Sequence, residues 1–488
     1  MAQFTSLLYL AAGAGLLGLV PRIAAPPATW LALTLLLHAS RAMPAWPGQA
    51  YVWIVLYVSA AIAYRGVLPA PDPIYFAICA FITTSVALPF VADRLLASRF
   101  GAFGSTLIFA LAFVAVEFLR SRFAPPATWG SIAYTQFGVA PLMQIAAVVG
   151  IWGITFLVAW FAGTAELAWS RAFDWSVIRT PVLAFASVLA LVVLGGSVRL
   201  ALAPTDGSSM RTATLNRPVD LFINGEMTRI TEGRVTADEY PQLAAKTTRL
   251  QDWFLDGSRR EARAGARLIV FPEGNLLVFA TDEAAFLERA AQVARDERVY
   301  LAIGMGTILL GEKLPFENKL VLIDPAGRTL VSYRKTHPAN DWEAGIMRAG
   351  DGRVPIVDTP DGRLAGAICF DADFPEFIRQ AAQGSADLLI VPVNDWLDIK
   401  DLHYRMHAFR AIETGMPVVR AAASGISSAF DPWGRVLGVS DFFAPGDRTL
   451  TVQVPVGHVN TIYAKTGDLF AWLCVACVVL AIGVTTLK

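Results

Sequence analysis

Cysteine is scarce in this chain, with only four among 488 residues, and so few cannot build a disulfide framework. Charge is also scarce: 16% of residues are charged against 55% hydrophobic, and the charges balance to a formal net of zero. No basic run and no basic patch interleaved with aromatics is present, which sets nucleic acid aside as a partner. Soluble domains carry about 25% charged residues, so the deficit points to membrane-spanning segments.

The apolar excess is concentrated before about Ala203 and after about Leu469. A membrane helix needs about 20 predominantly apolar residues. Runs bounded by charge or proline lie at 4–20, 27–40, 51–64, 74–92, 103–119, 141–169 and 182–203, with a last one at 469–487. The first run lacks a basic leader and is followed by further spans, so it reads as an anchor rather than a cleaved signal. Cys79, Cys474 and Cys477 fall inside apolar runs, where a small apolar side chain is ordinary. Cys474 and Cys477 have C-x-x-C spacing but no further ligand nearby, so packing is the better reading. Cys369 stands apart from all three.

These runs divide the chain into a membrane domain at 1–205 with about seven helices, a middle domain at 210–465 and a final membrane helix at 469–487. Seven spans would put the middle domain on the side opposite the N-terminus. With the N-terminus in the cytoplasm, inner loops hold Arg41, Arg94, Arg99, Arg171, Arg179 and Lys488, against Arg22, Arg65, Arg120 and Arg122 outside. Six against four is a slight bias toward an extracytoplasmic middle domain.

In the middle domain short β-rich runs alternate with amphipathic helical stretches, the pattern of one α/β domain with a substantial core. Strands are expected at 266–271, 299–303, 319–323, 330–333, 364–370 and 387–393, and helices at 242–264, 281–296, 376–384 and 402–415. Tight-turn chemistry at 324–327, 359–362 and 431–434 separates strands. The candidate chemistry lies where strands end. Phe271-Pro272-Glu273-Gly274 leaves Glu273 past a buried strand, Tyr333-Arg334-Lys335 does the same for Lys335, and Ile368-Cys369-Phe370 puts Cys369 before a helix opened by Pro375. Ligands gather beyond strand ends in α/β sheets, so the three residues are candidates to converge.

A thiol needs a base or a positive field to become the attacking thiolate. Glu273 is the candidate base, Lys335 the candidate stabiliser of an oxyanion, and Glu343 a candidate support that either orients the lysine or assists proton transfer. Taken singly, a cysteine after a strand is usually core, a lone glutamate caps a turn, and a lone lysine is a solvated charge. His403 and His407 have a metal-ligand spacing of four, but no glutamate completes H-E-x-x-H and no third ligand is evident, so neither metal nor cofactor is expected.

Order and surroundings raise the odds. Arg334-Lys335-Thr336-His337, Ala349-Gly350-Asp351, Cys369 with Phe374-Pro375-Glu376, Asn394-Asp395-Trp396, Arg410 through Glu413 and Arg420 through Ser427 together resemble the nitrilase superfamily. That resemblance implies a four-layer αββα sandwich with Glu273, Lys335 and Cys369 catalytic. The membrane segments narrow it. Glu117-Phe118-Leu119-Arg120, Trp129-Gly130, Tyr134, Gln136, Pro141, Gln144, Gly150-Ile151-Trp152-Gly153 and the stretch from Tyr463 to Asp468 resemble the apolipoprotein N-acyltransferase family of the bacterial inner membrane. Glu117 and Arg120, three apart, are expected to pair on one helix face.

The family resemblance implies a multi-pass inner-membrane enzyme, monomeric, with its catalytic domain in the periplasm. Through a Cys369 thioester it would move an acyl chain from a phospholipid to the α-amine of a diacylglyceryl apolipoprotein. Trp342, Phe370 and Trp396 are candidate substrate contacts, and Trp342, Ile346, Met347, Phe442 and Phe443 are candidates to dip into lipid or to cover the core. Phe271, Phe370, Asp371, Ala423 and the loop from His337 to Glu343 depart from the family pattern, around the substrate site. A membrane-tethered amidase or carbamoylase using the same residues, and a catalytically silent scaffold, are the alternatives.

Overall fold

The computed structural model describes residues 2–124, 127–204, 207–217, 225–446 and 448–486; Lys488, counted above among inner-loop charges, and Leu487 lie outside them. The chain forms two compact units, Met1–Ala203 with Thr461–Lys488, and Pro204–Asn460.

Among the described residues of the first unit, six helices are long and apolar enough to cross a membrane: Ala45–Ala63, Asp72–Arg99, Ala102–Phe123, Ile151–Ser170, Trp175–Ala201 and Leu469–Thr486. Helices Ala2–Leu17 and Pro26–Ala42 are shorter, at 16 and 17 residues. The apolar run at 141–169 is not one helix. It breaks into Ala140–Met143, Ala146–Val149 and Ile151–Ser170, because Gly150 takes φ +69° between the last two. Ile151–Ser170 is apolar on all sides and 83% buried, so it is an inner helix of the bundle, whereas Trp175–Ala201 and Leu469–Thr486 are only 17% buried and turn apolar surface outward.

Two sets of polar contacts lock this bundle. Arg41 gives Nε and Nη2 to Asp93 at 2.9 and 2.7 Å, and its Nη1 also pairs with Glu166. The second set joins the two ends of the unit: Trp152 Nε1 and the Tyr463 hydroxyl both donate to Asp468 Oδ1 at 2.8 Å, and the Tyr463 ring lies where a Cβ on Gly150 would come within 2.6 Å. The expected Glu117–Arg120 pair does not form. Arg120 Nη2 donates instead to the carbonyl of Trp129 at 2.9 Å, and Glu117 is buried with Ser131, Thr155 and Arg120 as polar neighbours.

The second unit is built on two six-stranded sheets. With β1 Ser209–Thr214, β2 Leu268–Phe279, β3 Tyr300–Ile308, β4 Phe316–Ile323, β5 Thr329–Arg334, β6 Ile356–Thr359, β7 Gly362–Gly366, β8 Leu388–Asn394, β9 Val418–Ala423, β10 Ile426–Phe430, β11 Val436–Asp441 and β12 Leu450–Pro455, the orders are β12-β1-β2-β3-β4-β5 and β11-β10-β9-β8-β7-β6. The sheets face one another through β2, β8 and β9, helices Tyr240–Arg263 and Glu283–Glu297 cover the first sheet, and Pro375–Gln383 and Lys400–Thr414 lie on the second. This is the αββα sandwich. Central strands β3, β4 and β9 are buried along their whole length, as strands covered on both faces must be. Phe254 packs on Phe271 at 4.7 Å between ring centres, joining the first covering helix to β2.

Candidate active site

β2 runs on to Phe279 instead of ending at Phe271. Its pairing with β3 shifts register between Phe271 and Leu276, so Glu273 sits in a bulge in mid-strand. Pro272 lacks a ladder donor and Gly274 takes φ +58°, which is what lets the strand kink there and turn the Glu273 carboxylate inward. Oε1 accepts from Asn318 Nδ2 at 2.7 Å and from Lys335 Nζ at 2.9 Å, and Oε2 accepts the Asn394 amide at 2.8 Å.

Lys335 follows β5 and is 1% exposed. Besides Glu273 it donates to both oxygens of Glu343 at 2.9 Å. Glu343 lies in the short helix Asp341–Ile346 and also accepts the Ala339 amide at 2.7 Å. Asn318, on β4, links the two carboxylates by reaching Glu343 Oε1 as well, at 3.1 Å. Its role is invisible in the sequence, where Glu317-Asn318-Lys319 reads as a polar break before a strand.

Cys369 is buried, takes φ +48° and opens a 3-10 turn, Cys369–Asp373. A left-handed backbone at a non-glycine residue costs about 1–3 kcal/mol and persists only where the surroundings enforce it. The clamp here is Asp371, fully buried, which accepts from the Ile368 amide at 3.2 Å, the Tyr333 hydroxyl at 2.7 Å and the His337 amide at 2.8 Å. One carboxylate thus ties the turn carrying Cys369 to the segment carrying Lys335. The Cys369 sulfur lies 4.0 Å from the Asn394 carbonyl, whose own amide holds Glu273.

Electrostatics set the resting state. Burial, with Glu343 adding to it, raises Glu273 above the ordinary carboxylate value in spite of Lys335. Burial alone would depress Lys335, but Glu273 and Glu343 outweigh it and hold the ammonium well above its usual value. Burial also pushes up the Cys369 thiol, and Glu273 reinforces this while Lys335 opposes it. The geometry therefore suits a thiol that ionises when its proton passes to a neighbouring carboxylate.

Other candidates fall elsewhere. Phe370 is buried, edge-on to Phe374 at 5.3 Å. Trp396 is half-buried after β8. Trp342 is exposed but tethered, its Nε1 donating to Glu232 at 2.8 Å. Met347 does not face outward: it is buried in a core cluster with Leu277, Phe279 and Phe316, and Ile346 packs against that cluster. Phe443 is exposed, and Phe442 lies under Arg448. Ala423 ends β9 in the core, and its carbonyl accepts the Asp395 amide at 3.0 Å. His403 and His407 do not form a metal pair. His407 Nδ1 is 2.8 Å from the His403 carbonyl, and His403 lies between Asp395, 2.7 Å from Nδ1, and Asp373, 3.2 Å from Nε2. Cys369, Asp395 and His403 do bring ligand atoms within 4.8 Å of one another, but carboxylates already engage both nitrogens of His403.

An αββα sandwich that gathers two buried carboxylates, a lysine and a cysteine, in a chain that also carries helices apolar enough to cross a membrane, has the make-up of a membrane-embedded member of the carbon–nitrogen hydrolase superfamily. Family comparison agrees: residues 234–463 match the carbon–nitrogen hydrolase family, and residues 12–164 match the N-terminal domain of apolipoprotein N-acyltransferases. Relatives named apolipoprotein N-acyltransferase match over most of the chain. The chain is 27% identical over 396 residues to the apolipoprotein N-acyltransferase of Geobacter metallireducens, covering 75% of this chain and 72% of that protein. Against that of Rhodopseudomonas palustris it is 27% identical, covering 89% and 83%. Among solved structures an amidase from Nesterenkonia sp. superposes with a TM-score of 0.40 at 22% identity, over 56% of this chain and 97% of that one.

Proposed function

We propose that this enzyme transfers an acyl chain from a phospholipid, through a thioester on Cys369, to the α-amine of a diacylglyceryl-cysteine at the N-terminus of an apolipoprotein. The observation that carries the reading is Lys335 shared by Glu273 and Glu343 beside a cysteine on a strained turn, in a chain whose family relatives bear that activity in their names.

In the first half-reaction the Cys369 proton passes to Glu273 and the thiolate attacks the ester carbonyl. Lys335 turns one of its N–H donors away from Glu343 toward the developing oxyanion, which an ammonium in a dry site stabilises strongly. As the tetrahedral species collapses, the proton on Glu273 goes to the departing alkoxide, so a lysophospholipid leaves and the acyl chain stays on sulfur. In the second half the amine attacks the thioester, Glu273 accepts its proton, and the thiolate leaves as the amide forms. The proton then returns to sulfur. Trp342, Phe370 and Trp396 contact the substrates, the segments 1–205 and 469–487 embed the protein in the inner membrane, and 210–465 works in the periplasm, where both lipidated substrates reach it from the bilayer.

Intact-protein mass spectrometry after incubation with phospholipid tests this. An acyl adduct on wild type, absent from Cys369→Ala and discharged onto a diacylglyceryl-cysteine peptide amine, is expected. Discharge to water alone would make the enzyme a hydrolase. Orientation is tested by a cysteine at Asp358, whose side chain is 79% exposed: an impermeant maleimide should label it in intact spheroplasts.

A further inference from the structure

Behind Cys369 lies a second charged cluster that the two half-reactions do not use. His403, on the helix Lys400–Thr414, is 1% exposed and meets Asp373 from the nucleophile's turn and Asp395 from the loop after β8. Arg420, from β9, pairs with the other oxygen of Asp395 and brings Nη2 to 3.3 Å from His403 Nδ1. On its own helix the ring of His407 lies 4.9 Å from that of His403 between centres. A nitrogen of His403, an oxygen of Asp395 and the Cys369 sulfur all lie within 4.8 Å of one another.

A protonated imidazole matches the two carboxylates that face it, and an unmatched carboxylate charge next to the sulfur would oppose the thiolate. The surroundings favour protonation: burial by itself lowers His403, but Asp373 and Asp395 outweigh it and raise the ring to about 9, while burial holds His407 well below its usual value. Asp373 closes the turn that Cys369 opens, and Asp395 follows Asn394, whose amide holds Glu273. His403 therefore bridges the backbone of the nucleophile to the backbone that aims the base.

We infer that His403 is a positioning residue, an imidazolium that cancels the Asp373 and Asp395 charges beside Cys369 and pins the nucleophile's turn to the strand end at Asn394. The inference rests on Cys369 being the nucleophile, but it is read on the thiol itself and needs no acyl transfer. In a Cys79→Ala, Cys474→Ala, Cys477→Ala background, the rate of Cys369 alkylation by iodoacetamide is followed by mass spectrometry across pH. His403→Gln is expected to move the midpoint up by about one unit, a tenfold slower reaction on the acid side of the profile, with the plateau at high pH unchanged. A lower melting temperature with an unmoved midpoint would reduce His403 to a packing residue and overturn the inference. Should His403→Gln not fold, nitrogen-15 NMR of histidine-labelled wild type decides: a doubly protonated His403 ring at pH 7.5 supports it and a neutral ring overturns it. A shifted midpoint without acyl transfer would sink the proposed function and leave His403 in its role.

Discussion

Two triads in this chain, one part-buried and one fully buried, share one charge pattern. In the membrane unit Arg41 is held by Asp93 and Glu166, and in the sandwich Lys335 is held by Glu273 and Glu343. Each is one cation between two carboxylates, yet they are built for different work. The planar guanidinium engages Asp93 with two nitrogens and also reaches the Ser105 carbonyl; an arginine is always charged and rigid in its donors, which suits a staple between helices. The lysine is a point charge with rotatable donors, so it can turn a proton toward a new anion. An ion triad by itself does not make an active site, and what supports assigning the active site to the second is the cysteine on a strained turn that accompanies it.

The sharpest test of that contrast is to remove the thiol. Cys369→Ala is expected to abolish both the acyl adduct and N-acylation, while the melting temperature measured by calorimetry in detergent moves little. Next, Lys335→Met and Arg41→Met should diverge. Loss of Lys335 is expected to lower kcat for acyl transfer by about 10²–10³-fold, as for a lost oxyanion donor. Loss of Arg41 leaves two buried carboxylates uncompensated and should cost about 3–5 kcal/mol in stability, read by denaturant unfolding, without changing the rate of Cys369 alkylation. If Arg41→Met slowed alkylation as much as Lys335→Met does, the division into staple and site would fail.

A pH profile sharpens the same comparison. Glu273 must be ionised to take the thiol proton, and burial with Glu343 raises its folded value. The acid limb of kcat/KM should therefore fall above the ordinary glutamate value of about 4.3, and Glu343→Gln, which removes the like charge, should move that limb down. A limb at or below the ordinary value would contradict the assignment of the base.

The smallest expected effects compare two glycines. Gly150→Ala meets both a left-handed backbone, φ +69°, and the Tyr463 ring at 2.6 Å, whereas Gly274→Ala meets a left-handed backbone, φ +58°, in open space. Gly274→Ala should cost about 1–2 kcal/mol from backbone strain alone, and Gly150→Ala more, by thermal unfolding of each variant.

Much of this was legible in the residues. The apolar runs before Glu273 and Cys369 mark β2 and the approach to the nucleophile's turn because central strands are buried on both faces, and Val331 and Tyr333 mark β5, an edge strand, by their β-forming side chains. The edge strands β6 and β11 were not legible: neither has a fully buried residue, so no apolar run announces them. β2 looked finished at Phe271 because proline and glycine usually end a strand, and only its pairing with β3 shows that it continues. The carboxylates of Asp371 and Asp395, the amide of Asn318 and the ring of His403 act through partners distant in sequence, and no local spacing encodes that. The Glu117–Arg120 spacing misled for the converse reason: a tertiary partner, the Trp129 carbonyl, took the arginine from its helical neighbour.

The bulge in β2 has a consequence for how this region tolerates change in length. Ladder pairs resume at Leu276 with Met305 after lapsing at Phe271 with Ile303, so four residues on one strand face a single residue, Gly304, on the other. Side chains alternate between faces along a strand. Deleting one residue between Phe271 and Leu276 would either pull Leu276 through Phe279 out of register or exchange their two faces, turning Leu277 and Phe279 away from the cluster they share with Met347. A chain shortened there is expected to lose the sandwich rather than merely the base, whereas changes of length in the exposed turn at 310–313, beyond the end of β3, should leave the register intact.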